Sequence, residues 1–184
     1  MPDVLWTIGH STRPINEFLS LLKAHGVERL VDVRTVPRSR HNPQFNTETL
    51  AQSLACAAIH YRHSGQLGGL RKPKKDSINT GWRNASFRGY ADYMQTEQFS
   101  EAVEELMAYG TSKKVAIMCA EAVPWRCHRS LIADALVSRG WEVRHIMTET
   151  KVDPHRLTSF ARVKNSSLYY PKPADSPSLY LWPD

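Results

Sequence analysis

The chain has 184 residues, 41% of them hydrophobic, a formal net charge of +6 and a pI near 9.3. This length and apolar content suit one domain with a sizeable core, and no run of 18 apolar residues is present to span a bilayer as a helix. Three cysteines are too few, and odd in number, for a disulfide framework, and the opening MPDVLWTIGH lacks the basic-then-apolar order of a signal peptide, so a reducing cytoplasm is expected.

Leu5 to His10 reads as a first strand, with Gly9 allowing a tight turn or a close backbone approach. Ser11 or Thr12 can cap the next helix, Pro14 fits its first turn, and Ile15, Phe18, Leu19 and Leu22 form its apolar face up to Gly26. Arg29 to Arg34 is a second strand, which completes a strand–helix–strand unit. The polar loop TVPRSRHNPQFN follows, then a helix capped by Asn46 or Thr47 with Leu50, Ala51, Leu54 and Ala58 inward. Ile59 to His63 is a candidate third strand.

The segment 64–89 changes character. It holds five of the nine glycines, and Arg71, Lys72, Lys74, Lys75, Arg83 and Arg88 face Asp76 alone, a local excess of +5. Trp82 and Phe87 are interleaved with these charges. Such a segment is either a solvated surface loop or a lid that contacts phosphates and stacks on a base. A helix begins over Tyr90 to Met94, and Thr96 caps another with Phe99, Ala102, Val103, Leu106 and Met107 inward. Val115 to Cys119 is apolar without a break and predicts a strand buried on both faces of a parallel sheet. A helix from Cys127 carries Leu131, Ile132, Ala135 and Leu136 on one face and stops at Gly140, and Glu142 to Met147 is a last strand. Beyond Thr150 the chain is rich in Pro and Ser, yet Leu168, Tyr169, Tyr170 and the run Leu179 to Trp182 are too apolar for a free tail. The expectation is a single-domain α/β three-layer sandwich over residues 1–150, with a mainly parallel sheet of about five strands. Residues 151–184 are then an extended arm packed on the domain or on a second subunit, as in a homodimer.

In a parallel sheet the strand ends share one edge, where open α/β sheets bind ligands. His10 and Ser11 end the first strand, Arg34 the second, and Cys119 and Glu121 the central one, with Arg126, Cys127, His128 and Arg129 leading into the following helix. Arg34, Arg126, His128, Arg129 and Ser11 are candidate anion ligands, because arginines and a helix N-terminus favour phosphate or carboxylate. Cys119, Glu121 and His10 are candidate catalytic groups. Cys119 is a nucleophile if the helix dipole and the arginines lower its pKa, and Glu121 is a proton carrier if apolar neighbours raise its own. A plainer use stands beside each: Cys119 as a small core residue, His10 as a cap, Glu121 in a salt bridge to one of the arginines. Asp32 reads as a structural hydrogen-bonding group. Tyr61, Tyr90 and Tyr93 are further candidates for the mouth, although the helical spacing of the last two suits packing.

Several sharper motifs are absent. Six residues separate Cys119 from Arg126, where a Cys-based phosphate loop has five, and there is no GxGxxG or GxxxxGK[ST]. Cys119, Cys127 and His128 offer soft ligands, but their spacing matches no structural zinc pattern, so no metal is assigned; one would need His10 or Glu121 to complete it.

TIGHS (Thr7 to Ser11), VDVR with a following Pro-x-Ser (Val31 to Ser39), LGG (Leu67 to Gly69), FRGYADYM (Phe87 to Met94) and CAE…WRCHR (Cys119 to Arg129) together resemble the domain-of-unknown-function 488 family over roughly Leu5 to Met147. The resemblance implies a small cytoplasmic prokaryotic α/β protein and supplies no reaction. The leading functional expectation is an enzyme acting on a phosphate-bearing substrate, a nucleotide or nucleic acid, at the sheet's rim. The alternatives are a non-catalytic nucleic-acid-binding module centred on the basic loop, and a metal-dependent hydrolase.

Overall fold

The computed structural model describes residues 3–164 and 167–173. The unbroken apolar run Val115–Cys119 forms β4, all five residues buried, at an inner position of the main sheet. The other strands of that sheet are β1 (Val4–Gly9), β2 (Arg29–Asp32), β3 (His60–His63), β5 (Glu142–Ile146) and β6 (Val152–Pro154). Their order is β3-β2-β4-β1-β5-β6, parallel throughout except for β6, which pairs antiparallel with β5. The sheet therefore has six strands; the extra one comes from the Pro-rich segment, where Pro154 sits on an edge strand that tolerates its missing N–H.

Alternation along β4 divides the core. Val115, Ile117 and Cys119 belong to one cluster with residues of α3 (Ala85–Tyr93), α4 (Glu97–Gly110) and α5 (Arg129–Val137). Ala116 and Met118 belong to the other, with α1 (Ile15–Ala24) and α2 (Thr47–Cys56). Helices thus cover both faces, which a parallel sheet requires. A separate antiparallel hairpin, β7 (Arg162–Lys164) and β8 (Ser167–Tyr169), sends Leu168 into the first cluster, and Tyr170 follows it there. The apolar run at 179–182 lies outside the described residues.

Two helix starts differ from their prediction. α1 begins at Ile15, after Pro14, because Ser11 is committed elsewhere: its N–H donates to Ala120 O (2.9 Å) and its φ is +50°. α5 begins at Arg129, because Pro124–Arg126 makes a short 3-10 turn and Cys127 is extended.

Candidate active site

β4 lies between β1 and β2, so three strand ends meet although their sequences are far apart. His10 N donates to Cys119 O (2.9 Å) and Val33 N to Met118 O (3.0 Å), which locks the first residues beyond each strand to the end of β4. A Cβ on Gly9 would run into the Glu121 carbonyl, so glycine is what lets the β4–α5 connection pass over β1. Above these ends lies a cavity of about 780 Å³. His10, Ser11, Arg34, Cys119, Glu121, Arg126, Cys127 and His128 all line it, and so do Arg38, Asn42, Gly69 and Asn84. Arg129 does not.

One of the expected anion ligands, Arg34, is largely committed. Arg34 Nε and Nη2 grip the Asp32 carboxylate (2.9 and 2.6 Å), Nη2 also donates to Phe45 O (2.8 Å), and Nη1 donates to His10 Nε2 (3.3 Å). Asp32 is fully buried and takes a further bond from Tyr61 Oη (2.9 Å), so Tyr61 serves this pair. Of the five guanidinium hydrogens, one on Nη1 is left without a partner among the described residues. His10 stacks on Phe45 and donates from Nδ1 to Ser11 O (2.7 Å). Burial, helped by the facing Arg34 charge, lowers its pKa to about 4, so it is neutral near pH 7 and serves as an acceptor that orients Arg34. Arg38 and Arg126 are exposed at the cavity and make no ion pair among the described residues. Glu121 is exposed as well; its carboxylate pairs with neither Arg126 nor Arg129, and the apolar surroundings expected for it are missing.

The cavity floor is made of two sulfurs and an imidazole. His128 Nε2 donates to Val33 O (3.0 Å), which leaves the Nδ1 lone pair turned toward Cys127 Sγ (3.7 Å) and Cys119 Sγ (3.9 Å). The two thiols act as one unit. The hydrogen bond from Cys119 lowers the Cys127 pKa well below its usual value, with the nearby Arg129 charge adding to the effect, and the same bond together with burial raises Cys119. The Arg129 N–H at the start of α5 also points at Cys127 Sγ (3.5 Å). Of the two thiols Cys127 is thus the more acidic, and Cys119, the expected nucleophile, the less.

Arg129 lies behind this floor, only 1% exposed. Its Nη2 donates to Glu121 O (2.6 Å), its Nη1 to Thr7 Oγ1 (3.1 Å), and its Nε has no partner among the described residues. From Thr7 a chain of bonds runs through the protein: Thr7 Oγ1 to His145 Nδ1 (2.7 Å), His145 Nε2 to His155 Nδ1 (3.0 Å), His155 Nε2 to Asp134 Oδ1 (2.8 Å). A carboxylate only accepts, so His155 Nε2 must donate, and each tautomer then follows from the next. The chain delivers Asp134 as a remote counter-charge to Arg129. Tyr170 Oη holds the other Asp134 oxygen (2.8 Å). Arg129 is thus a buried support that places positive charge beside Cys127 and leaves the anion ligation to others.

The basic segment is tied down. Asp92 accepts from Lys74 N, Ser77 Oγ and Asn79 Nδ2 (2.8, 2.6 and 2.8 Å). Arg71 lies over the Tyr93 ring (3.6 Å), and the Tyr90 and Tyr93 hydroxyls donate to Leu67 O and Gln66 O, so both tyrosines anchor the LGG turn. Trp82 packs against Phe87, Phe160 and Tyr170, in place of the stacking surface for a base that the sequence suggested. Sequence reasoning missed Arg38, hidden in a loop beside Arg34 and Arg40, and the chain Thr7–His145–His155–Asp134, whose members carry no local signal.

The family model described as domain of unknown function DUF488 matches residues 14–136. Four of the five motifs fall inside that range, and TIGHS precedes it. No match was found among curated proteins or solved structures. Among the described residues no helix is long and apolar enough to cross a membrane.

Proposed function

The chain belongs to the DUF488 family, and from that premise and the cavity's geometry we propose that it is an enzyme acting on a small phosphate-bearing substrate, of nucleotide size. One observation carries the reading: a single cavity joins two arginines that make no ion pair among the described residues, Arg38 and Arg126, to the Cys119–Cys127–His128 floor. Its volume of about 780 Å³ falls within the roughly 300–1,000 Å³ common for small-molecule sites. Arg38 and Arg126 hold the anion, with the remaining Arg34 hydrogen as a third donor. Val36 and Leu70, 59% and 78% exposed at the same rim, meet an apolar body such as a base. The reactive end of the ligand rests on the sulfur–imidazole floor, and Glu121 at the mouth is placed to exchange protons with solvent.

Calorimetric titration with sulfate and nucleoside monophosphates tests the reading. Arg38→Ala and Arg126→Ala should each weaken binding by roughly 1.5–3 kcal/mol, the usual worth of a charge-assisted bond. Unchanged affinity in both variants overturns it. A nucleic-acid-binding role has one supporting feature, the exposed Lys72, Lys74, Lys75 and Arg83. An oligonucleotide arm of the same titration, weakened by lysine replacement and untouched by Arg126→Ala, would favour it.

A further inference from the structure

Cys119, Cys127 and His128 do more than line the cavity: Sγ, Sγ and Nδ1 all lie within 4.8 Å of one another. We propose that these three residues are the protein ligands of a transition-metal site of the Zn²⁺ class, with a fourth position open to the cavity. The metal site stands on its own geometry; its use in catalysis rests on the reading of the cavity given above.

Four features support it. The first is spacing. A tetrahedral ion with Zn–S of about 2.3 Å and Zn–N of about 2.0–2.1 Å separates S from N by about 3.6 Å. The His128 Nδ1 distances of 3.7 and 3.9 Å to the two sulfurs need only a few tenths of an ångström of closure. Second, the imidazole is already oriented. His128 Nε2 donates to the Val33 carbonyl, the outer-shell bond that fixes the tautomer of metal-bound histidines, and Nδ1 is left as a bare donor pair. Third, the surroundings suit ionised sulfur. The Arg129 N–H donates to Cys127 Sγ, and the Arg129 guanidinium, with no carboxylate in direct contact among the described residues, lies behind the pair. Two thiolates and a divalent ion are neutral together, so the buried pair can ionise fully. Fourth, the LGG turn leaves room. A Cβ on Gly69 would fall 2.6 Å from His128 Nδ1, so glycine keeps the space beside that nitrogen clear.

Two thiolates and one imidazole select a borderline-soft ion over Mg²⁺ or Ca²⁺, which take oxygen ligands. Three protein ligands with an open fourth position is the arrangement of catalytic zinc sites, whereas structural sites close with four. The fourth position faces the arginines, where a water or a ligand oxygen would bind.

The test uses the full chain with Cys56→Ser, which removes the exposed third thiol. The reduced, metal-stripped protein is titrated anaerobically with Co²⁺. One equivalent should bind with thiolate-to-cobalt charge-transfer absorption, and Zn²⁺ should displace it. Cys119→Ser and Cys127→Ser should each weaken Co²⁺ binding by at least about 100-fold, beyond what loss of an outer-shell partner costs. His128→Cys, which keeps a ligand in place, should retain one equivalent with a stronger charge-transfer band. Failure of the wild-type chain to bind stoichiometric Co²⁺ overturns the proposal, whatever the variants do. So does a band indifferent to both serine replacements, or a chain that binds no metal and closes a Cys119–Cys127 disulfide in air. Sulfate titration of the same metal-free protein separates the two readings. If anion binding persists while Co²⁺ fails, only the metal site falls; if Co²⁺ binds and anions do not, only the phosphate-substrate reading falls.

Discussion

Arg34 and Arg38 stand four positions apart and do different work. Arg34 is 6% exposed and pairs with a fully buried carboxylate; Arg38 is exposed and unpaired among the described residues. Removing one member of a buried pair strands the other charge, at a cost of roughly 3–5 kcal/mol, whereas surface changes usually stay within about 0.5 kcal/mol. Arg34→Ala should therefore lower the melting temperature sharply, while Arg38→Ala and Glu121→Gln leave it unchanged. Equal melting temperatures for Arg34→Ala and Arg38→Ala would contradict the Asp32 pairing. With stability unaffected, any loss of turnover in Glu121→Gln reads directly on proton transfer.

At the scale of elements, α5, β1, β5 and His155, just beyond the end of β6, are joined by the hydrogen-bonded chain from Arg129 to Asp134. The chain requires neutral His145, and burial, then the neighbouring His155 and Arg129, lowers its pKa from 6.5 to about 4. His10 is lowered to about 4 by burial first. Both folded values lie below the unfolded one, so the unfolded chain binds more protons between them. Stability is full above about pH 6.5 and is lost as pH falls toward 4, by ~1.4 kcal/mol per unit of pKa difference for each group. Melting curves between pH 7 and pH 4 should show this fall, and replacing His145 with Gln should reduce its slope. A flat profile over that range would show that neither histidine is held neutral.

At the scale of the molecule, the C-terminal segment completes the core. Leu168 and Tyr170 are buried in the α3–α5 cluster, Tyr170 N donates to Asn79 Oδ1 (2.8 Å), and its hydroxyl donates to Asp134. Ending the chain after Lys164 exposes the cavity these side chains fill and removes an Asp134 partner. At roughly 1.5–3 kcal/mol for each large buried side chain, several kcal/mol of stability should disappear, visible as a lower denaturant midpoint. An unshifted midpoint would mean that the hairpin contributes no stability to the core.

The amino-acid sequence alone determined what local chemistry can determine. The five apolar residues of β4 required an inner strand, the spacing Phe99, Ala102, Val103, Leu106 wrote the buried face of α4, and the parallel connections sent His10, Arg34 and Cys119 to one edge. It also brought seven of the eight nominated site residues to one cavity, Arg129 being the exception. Partnership was left to the tertiary structure. Asp32 is two residues from Arg34, yet only the fold shows that the pair is sealed beneath Phe45 and Tyr61. Cys119 and His128 are nine positions apart, a spacing that fits no zinc pattern, because one residue ends a strand and the other precedes a helix across a 3-10 turn. The Arg129–Asp134 chain depends on residues up to 138 positions apart, and no window of sequence contains it. Periodicity records which face of an element avoids water; which polar atom meets which across elements depends on the packing of several segments at once, and only the folded chain fixes that.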